Sequence, residues 1–266
     1  MSLSKNHVAI VTGAGQGVGR GIARAFAKEG ATVVVAEINA ETGNAVANEL
    51  SELGGEGVFI QTDMGDQESV ETLIADTISR CGHLDTLVNN AYFVGNDLPK
   101  RLETRDTEDF EKAMNVGFYG ALWAMWAAFE HMRERGFGRI INLCSLNGVN
   151  SHPFTTNYNI TKEALRTLSR SSAREWAQHK ITVNTICPAA VSPAFEMLKK
   201  FAPQEIDKIV TENPMGYMGD AEADIGGVAV FLASDVARYL TGNTLFADGG
   251  SHINGVSWVP PLMEEM

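Results

Sequence analysis

Tyr158 and Lys162, four residues apart, form the pair in this sequence best suited to moving a proton. On a helix that spacing puts the phenol and the ammonium on one face. A phenol with a pKa near ~10 is a poor base at neutral pH, but a nearby lysine and a helix amino terminus would each stabilise its anion. Alone, the same pair also fits a solvent-facing helix. A second group is suited to binding. Thr12-Gly13-Ala14-Gly15-Gln16-Gly17-Val18-Gly19 follows a strand-like run and leads straight into a helical pattern. In a strand-loop-helix setting such glycines let backbone approach a pyrophosphate at a helix amino terminus, where free N–H groups and the dipole favour anions. Alone, the string also fits a tight turn. Glu37 stands 18 residues after Gly19, close to the ~20 expected of a carboxylate that bonds adenosine ribose hydroxyls. No lysine or arginine occurs between Lys28 and Arg80, an interval with 11 acidic residues. A 2′-phosphate there would meet like charge, so NAD is expected over NADP.

These residues need a scaffold. Short β-branched runs recur at His7 to Thr12, Thr32 to Ala36, Gly57 to Thr62, Leu84 to Asn89, Arg139 to Leu143, Ile181 to Ile186 and Asn243 to Ala247. Between them apolar residues repeat near a 3.6 period, as in Val18-Ile22-Ala25-Phe26. Strands that are apolar throughout, such as Val33-Val34-Val35, are buried on both faces, and their alternation with helices indicates parallel crossover units. The expected fold is α/β: a doubly wound, seven-stranded parallel sheet flanked by helices, one domain over residues 1–266. The rhythm breaks from Ser192 to Asp220, where Pro193, Pro203 and Pro214 bracket short helical stretches. That segment fits either a lid beside a cleft or a surface insertion. A tail, 249–266, carries Trp258 and is long enough to pack on the body or on a neighbouring subunit.

Composition narrows the partners. Of 266 residues 44% are hydrophobic and 20% charged, which excludes disorder and collagen. Excess acid gives a formal charge of −12, which repels nucleic acid and anionic lipid. Cys81, Cys144 and Cys187 lack metal or redox spacing and read as small buried thiols. No H-x-x-x-H pair suggests a metal, and none is required by the chemistry. The amino terminus has no signal-peptide pattern, and the longest uncharged apolar-rich stretch, Val116 to Phe129, is 14 residues against the ~20 that span a bilayer. A soluble cytoplasmic protein without membrane partners is expected.

Taken together, Thr12-Gly13-x-x-x-Gly17-x-Gly19, Asn89-Asn90-Ala91, Asn115, Ser145 and Tyr158-x-x-x-Lys162 resemble the classical short-chain dehydrogenase/reductase family, and the match runs from the first strand to Asp248-Gly249-Gly250. The resemblance implies a Rossmann-type fold and a catalytic set of Asn115, Ser145, Tyr158 and Lys162. Tyr158 would exchange a proton with the substrate hydroxyl. Lys162 would lower its pKa and bond the nicotinamide ribose. Ser145 would orient the substrate oxygen, and Asn115 would hold the water through which protons reach solvent. Gly13, Gln16, Gly17, Val18 and Gly19 would shape the pyrophosphate loop, with Glu37 at the ribose. Asp63 would meet the adenine amino group beside Met64. Asn90 would line the adenosine ribose beside Ala91, and Val191, after Pro188, would meet the carboxamide through its backbone. The sequence departs from the family pattern at Tyr92 and Ala189, where glycine is usual, and at Pro193, where threonine is common.

Segments expected to face substrate supply Tyr92, Phe93, Asn147, Phe154, Phe195 and Met197, with no lysine or arginine before Lys199. That favours an apolar, cyclic or aromatic secondary alcohol and its ketone; the same aromatics also fit packing. Ala121 to Phe129 is apolar on too many sides to face one sheet. It fits a second subunit, in the homotetramer (or homodimer) the family implies, or a well-buried helix. Two rival functions remain: an NADPH-dependent ketoreductase of the 3-oxoacyl-(acyl-carrier-protein) reductase type, and a non-catalytic dinucleotide-binding module.

Overall fold

The computed structural model describes residues 3–93 and 99–253. Seven parallel strands run in the order β3-β2-β1-β4-β5-β6-β7. They are β1 (Val8–Thr12), β2 (Thr32–Glu37), β3 (Glu56–Gln61), β4 (Thr86–Asn89), β5 (Gly138–Leu143), β6 (Ile181–Pro188) and β7 (Thr244–Ala247). The expected strands are all present, with ends shifted by one or two residues. Among the described residues ten α-helices accompany them: α1 (Gly17–Lys28), α2 (Ala40–Glu52), α3 (Gln67–Cys81), α4 (Thr107–Met114), α5 (Gly120–Arg135), α6 (Leu146–Asn150), α7 (Thr156–Trp176), α8 (Pro193–Phe201), α9 (Pro203–Glu212) and α10 (Gly227–Ala233).

Side-chain alternation along each strand builds two cores. Ala9, Val11, Val33 and Val35 pack with Ile22 and Phe26 of α1 and Leu50 of α2. Ile10 and Val34 point the other way, onto Leu73 and Ile74 of α3 and Met125 and Met132 of α5. Both faces of the sheet are covered, which is why its strands are apolar throughout. The chain forms one Rossmann-like domain. Sheet order reverses between β1 and β4, and the loops at their carboxyl ends enclose the crevice where such sheets bind ligands.

Two details differ from the sequence reading. The helical stretch around Asn115 is not one regular helix: α4 ends at Met114, a π-helical turn spans Asn115–Tyr119, and α5 begins at Gly120. Cys81, at the end of α3, is half-buried, whereas Cys144 and Cys187 are buried as expected. The irregular stretch from Ser192 holds α8 and α9, each opened by proline at its first position, where the missing N–H has no helical partner to lose. Tail residues from 254 on, Trp258 included, lie outside the described residues. Among the described residues no helix is long and apolar enough to cross a membrane.

Candidate active site

The crevice begins with the glycine loop. Gly13 and Gly17 have φ of 62° and 57°, a left-handed conformation that side chains resist. A methyl on Gly19 would lie 2.3 Å from the Gly13 carbonyl oxygen and 2.5 Å from Asn90 Nδ2. Helix α1 starts here with no side-chain cap from Gln16 and no acidic residue in its first turn. Its leading N–H groups, from Gly17 through Val18 and Gly19, present a concave, electropositive end of the kind that holds a phosphate. Asn90 ties the far wall to this loop, donating from Nδ2 to the Thr12 and Gly13 carbonyls at 2.9 and 3.1 Å. Thr12 Oγ1 accepts from the N–H groups of Asn90 and Ala91 at 3.0 and 3.1 Å. This role of Thr12 joins two separate elements and has no signature in the motif that contains it.

Glu37 closes the loop's other side. Its Oε2 accepts from Gly15 N–H at 3.1 Å, and Oε1 accepts from Ile38 and Asn39 N–H at 3.0 and 3.2 Å. Three backbone donors therefore fix a carboxylate at the end of β2. The basic residues of the adjacent α1 are committed elsewhere. Arg20 forks onto Glu49, Arg24 bridges Glu49 and Glu222, and Lys28 pairs with Glu222. After β3, Asp63 Oδ1 accepts from Gly65 N–H at 2.8 Å, and Asn115 Nδ2 donates to the Gly65 carbonyl at 2.8 Å. Met64 is buried beneath α5, whose Gly120 could not carry a methyl, since it would sit 2.3 Å from the Met64 carbonyl oxygen.

Farther along the same edge, β5 runs through Cys144 into Ser145. Ser145 caps α6, its Oγ accepting from Asn147 N–H at 3.1 Å, an interaction that leaves the hydroxyl hydrogen for a second partner. Tyr158 lies in the first turn of α7 and Lys162 one turn later. Lys162 is only 4% exposed, so the pair is not a solvent-facing one. Its Nζ donates to the Leu143 carbonyl at 2.8 Å, joining α7 to the end of β5 two residues before Ser145. Burial pulls the Lys162 ammonium below the usual lysine range. Burial likewise pushes the thiols of Cys144 and Cys187 up to about 12, so both are neutral and inert. Tyr92 and Tyr158 meet edge to face with centroids 4.9 Å apart.

The expected substrate residues occupy several elements. Asn147 is in α6, Phe195 in α8, and Phe154 in the loop before α7 with φ of 67°. The Phe154 carbonyl accepts from Lys100 N–H at 3.0 Å and Arg105 Nη2 at 2.8 Å, and the Arg101 guanidinium lies 5.6 Å from its ring centre. The segments themselves hold no lysine or arginine before Lys199, yet basic side chains from elsewhere in the chain reach Phe154. Three come from 49 or more residues away in sequence, brought in by the chain leading to α4. Two are engaged by one acid, since Asp109 is 3.0 Å from Lys100 and 3.8 Å from Arg105. Pro188 ends β6 opposite Ala247. Val191 donates its N–H to the Gly219 carbonyl at 3.0 Å, so a backbone contact with a carboxamide would run through its C=O. Ser192 Oγ caps α8 by accepting from Phe195 N–H, and Pro193 touches the glycine loop, its Cδ 2.9 Å from where a methyl on Gly17 would stand.

Comparisons with known proteins show the family to which the chain is similar. A family model described as Enoyl-(Acyl carrier protein) reductase matches residues 13–252. The 3-oxoacyl-(acyl-carrier-protein) reductase of Staphylococcus aureus is 33% identical over 254 residues, 95% of this chain and 100% of that protein. The 2,5-dichloro-2,5-cyclohexadiene-1,4-diol dehydrogenase of Sphingobium indicum is 34% identical over 243 residues, 91% of this chain and 95% of that protein. A solved 7α-hydroxysteroid dehydrogenase, complexed with NADH and 7-oxo glycochenodeoxycholic acid, superposes with a TM-score of 0.87 at 31% identity, covering 98% of this chain and 97% of that one.

Proposed function

This chain belongs to the classical short-chain dehydrogenase/reductase family, and from that premise we propose that it interconverts an apolar, cyclic or aromatic secondary alcohol and its ketone with NAD. The observation that carries the reading is the buried Lys162, held on the Leu143 carbonyl with its ammonium beside the Tyr158 ring. A positive charge placed there favours a phenolate.

The glycine loop and the uncapped start of α1 fit a dinucleotide: Gly13, Gln16, Gly17, Val18 and Gly19 would hold its pyrophosphate. Glu37 would take the adenosine ribose hydroxyls, with Asp63, Met64, Asn90 and Ala91 at the adenosine half and Pro188 and Val191 at the carboxamide. A nicotinamide dinucleotide held by these residues would supply hydride exchange with the carbinol carbon. Tyr158 takes the hydroxyl proton as the C–O bond becomes a carbonyl, and gives it back in the reverse direction. The Lys162 charge and the amino-terminal end of α7 favour its phenolate. Ser145 donates its hydroxyl hydrogen to the substrate oxygen, where negative charge develops. Asn115, anchored through Nδ2, keeps Oδ1 for the water that carries protons to solvent.

NAD is favoured because a 2′-phosphate would face the Glu37 carboxylate while Arg20, Arg24 and Lys28 are paired to acids. The apolar substrate class draws support from the aromatic side chains Tyr92, Phe154 and Phe195 in the segments expected to face substrate, and from relatives named for a cyclic diol and a steroid. A second reading, an NADPH-dependent ketoreductase, draws on the similarity to the Staphylococcus aureus reductase. Self-association into a homotetramer or homodimer is proposed through α5 and α7, where Trp126 is 59% and Ile160 47% exposed.

A panel of cyclic, aromatic and hydroxy-acid alcohols, assayed with NAD and NADP separately, tests these assignments. Turnover of a cyclic or aromatic alcohol with NAD is expected, and Tyr158→Phe lowers kcat by about 10²–10⁴-fold while dinucleotide quenching of tryptophan fluorescence persists. Preference for a charged hydroxy acid removes the substrate assignment, and preference for NADP transfers support to the second reading. Undiminished turnover by Tyr158→Phe removes the mechanism.

A further inference from the structure

Tyr92 stands just beyond β4, and its ring is held from several sides. Toward α7 it meets Tyr158 with an interplanar angle of 86° and centroids 4.9 Å apart, a T-shaped arrangement in which ring quadrupoles attract. Lys162 Nζ lies 5.4 Å from the Tyr92 centroid and 5.6 Å from the Tyr158 centroid, both within the ~6 Å reach of a cation–π contact. A further edge of the ring rests on the π-helical turn. A methyl on Gly117 would come within 2.9 Å of Tyr92 Cδ2 and 2.6 Å of Thr161 Cγ2, so only glycine lets the turn lie this close.

We propose that Tyr92 is a positioning residue for proton transfer: its ring fixes the orientation of Tyr158 and supplies Lys162 with an aromatic face in place of water. The proposal rests on the reading of Tyr158 and Lys162 as the proton-transfer pair, and goes beyond it by giving that pair a third member that touches no reacting atom. The physical need is specific. An ammonium this deeply buried is destabilised relative to the neutral amine, and a π face offsets part of that loss without offering a proton acceptor. An ordinary apolar side chain would fill the same space and leave the cation less stable. The Tyr158 anion would then form less readily.

The test reads the phenol directly, without substrate or dinucleotide. Ultraviolet absorbance of tyrosinate is followed during alkaline titration of the purified protein, and the same curve for Tyr158→Phe is subtracted to isolate Tyr158. Each Tyr92 variant is treated likewise against its own Tyr158→Phe double variant. Tyr158 is expected to titrate below the ~10 of a free phenol. In Tyr92→Leu its titration should move up from the parent's, because the lost cation–π contact destabilises the Lys162 charge that favours the phenolate. Tyr92→Phe, which keeps the ring, should leave it in place.

A Tyr92→Leu curve that superimposes on the parent, with Tyr158 still titrating low, overturns the role of Tyr92 and leaves the pair intact. A Tyr158 that titrates as a free phenol in the parent overturns the pair and this proposal with it. Should Tyr92→Leu fail to melt cooperatively, Gly117→Ala presses on the same ring from the π turn. A native-like melt with an unmoved Tyr158 titration then overturns the proposal, and a displaced titration supports it.

Discussion

Charge at single residues shapes this crevice. Lys162 is sealed from water, yet a carbonyl and two aromatic rings stand around its Nζ, and neutral thiols of Cys144 and Cys187 lie nearby. Glu37 is the opposite case: a carboxylate near the surface, held still by three N–H donors. Two like charges ~4 Å apart repel by about 1–4 kcal/mol at surface-like dielectric, so Glu37→Ala should raise the ratio of NADP to NAD kcat/KM by at least tenfold. Steady-state kinetics with both dinucleotides decide it, and an unchanged ratio would remove Glu37 from cofactor choice. At this scale the sequence was informative where chemistry rests on spacing within one element, as for Tyr158 and Lys162, or on a short run, as for the glycine loop. It was silent on the Leu143 carbonyl, on Thr12 Oγ1 as a double acceptor and on the cations around Phe154. Those contacts join residues from separate elements, and neither type nor spacing carries their signature.

The elements act as brackets that fix distances between such residues. The π-helical turn at Asn115–Tyr119 inserts an extra residue in the helical repeat, and with it Asn115 reaches the Gly65 carbonyl while Gly117 admits Tyr92 and Thr161. The strands were legible to within a residue or two because burial on both faces writes itself as continuous β-branched runs. The turn was not, because a π turn keeps nearly the same apolar pattern as the helices it joins. Likewise α8 and α9 were visible only as proline-bracketed helical fragments, since neither feeds a strand. One close approach gives a direct check. Gly120→Ala places a methyl 2.3 Å from the Met64 carbonyl oxygen, so α5 must retreat from the loop bearing Asp63. Overpacking of this kind costs about 1–3 kcal/mol, to be read from the denaturant midpoint at unchanged slope. A midpoint equal to that of the parent would show that the helix yields freely there.

Across the whole molecule, the sheet separates chemistry from its opposite edge, where Asp85 gathers charged and titratable groups. Asp85 Oδ2 accepts from Val8 N–H at 2.9 Å and lies 3.0 Å from His83 Nε2 and 3.8 Å from His7 Nδ1, while Arg135 Nη1 reaches Oδ1 at 3.0 Å. Burial is the main cause that lowers the His7 pKa to about 4, against the opposing pull of Asp85 and with help from Arg139, His83 and Arg135. A histidine whose folded pKa is depressed contributes stability above its unfolded pKa of ~6.5, and that contribution is lost as pH falls from there toward 4. On the order of 2 kcal/mol should disappear between pH 7.5 and pH 5. His131 and His152 are lowered by burial too and act in the same direction. Thermal melts should show His7→Gln losing less stability than the parent over that range, and parallel losses would assign the acid sensitivity elsewhere. The same whole-chain view gives another meaning to the ion pairs on α1. Arg24 and its partner Glu222 are 198 residues apart in sequence, and Gly21 is packed so tightly on Ala221 that a methyl would lie 2.4 Å from its carbonyl carbon. A ribosome adding roughly 5–20 residues per second makes the helix that opens the crevice about ten to forty seconds before the segment that covers it. The first part of the binding site to be synthesised is thus among the last to be finished.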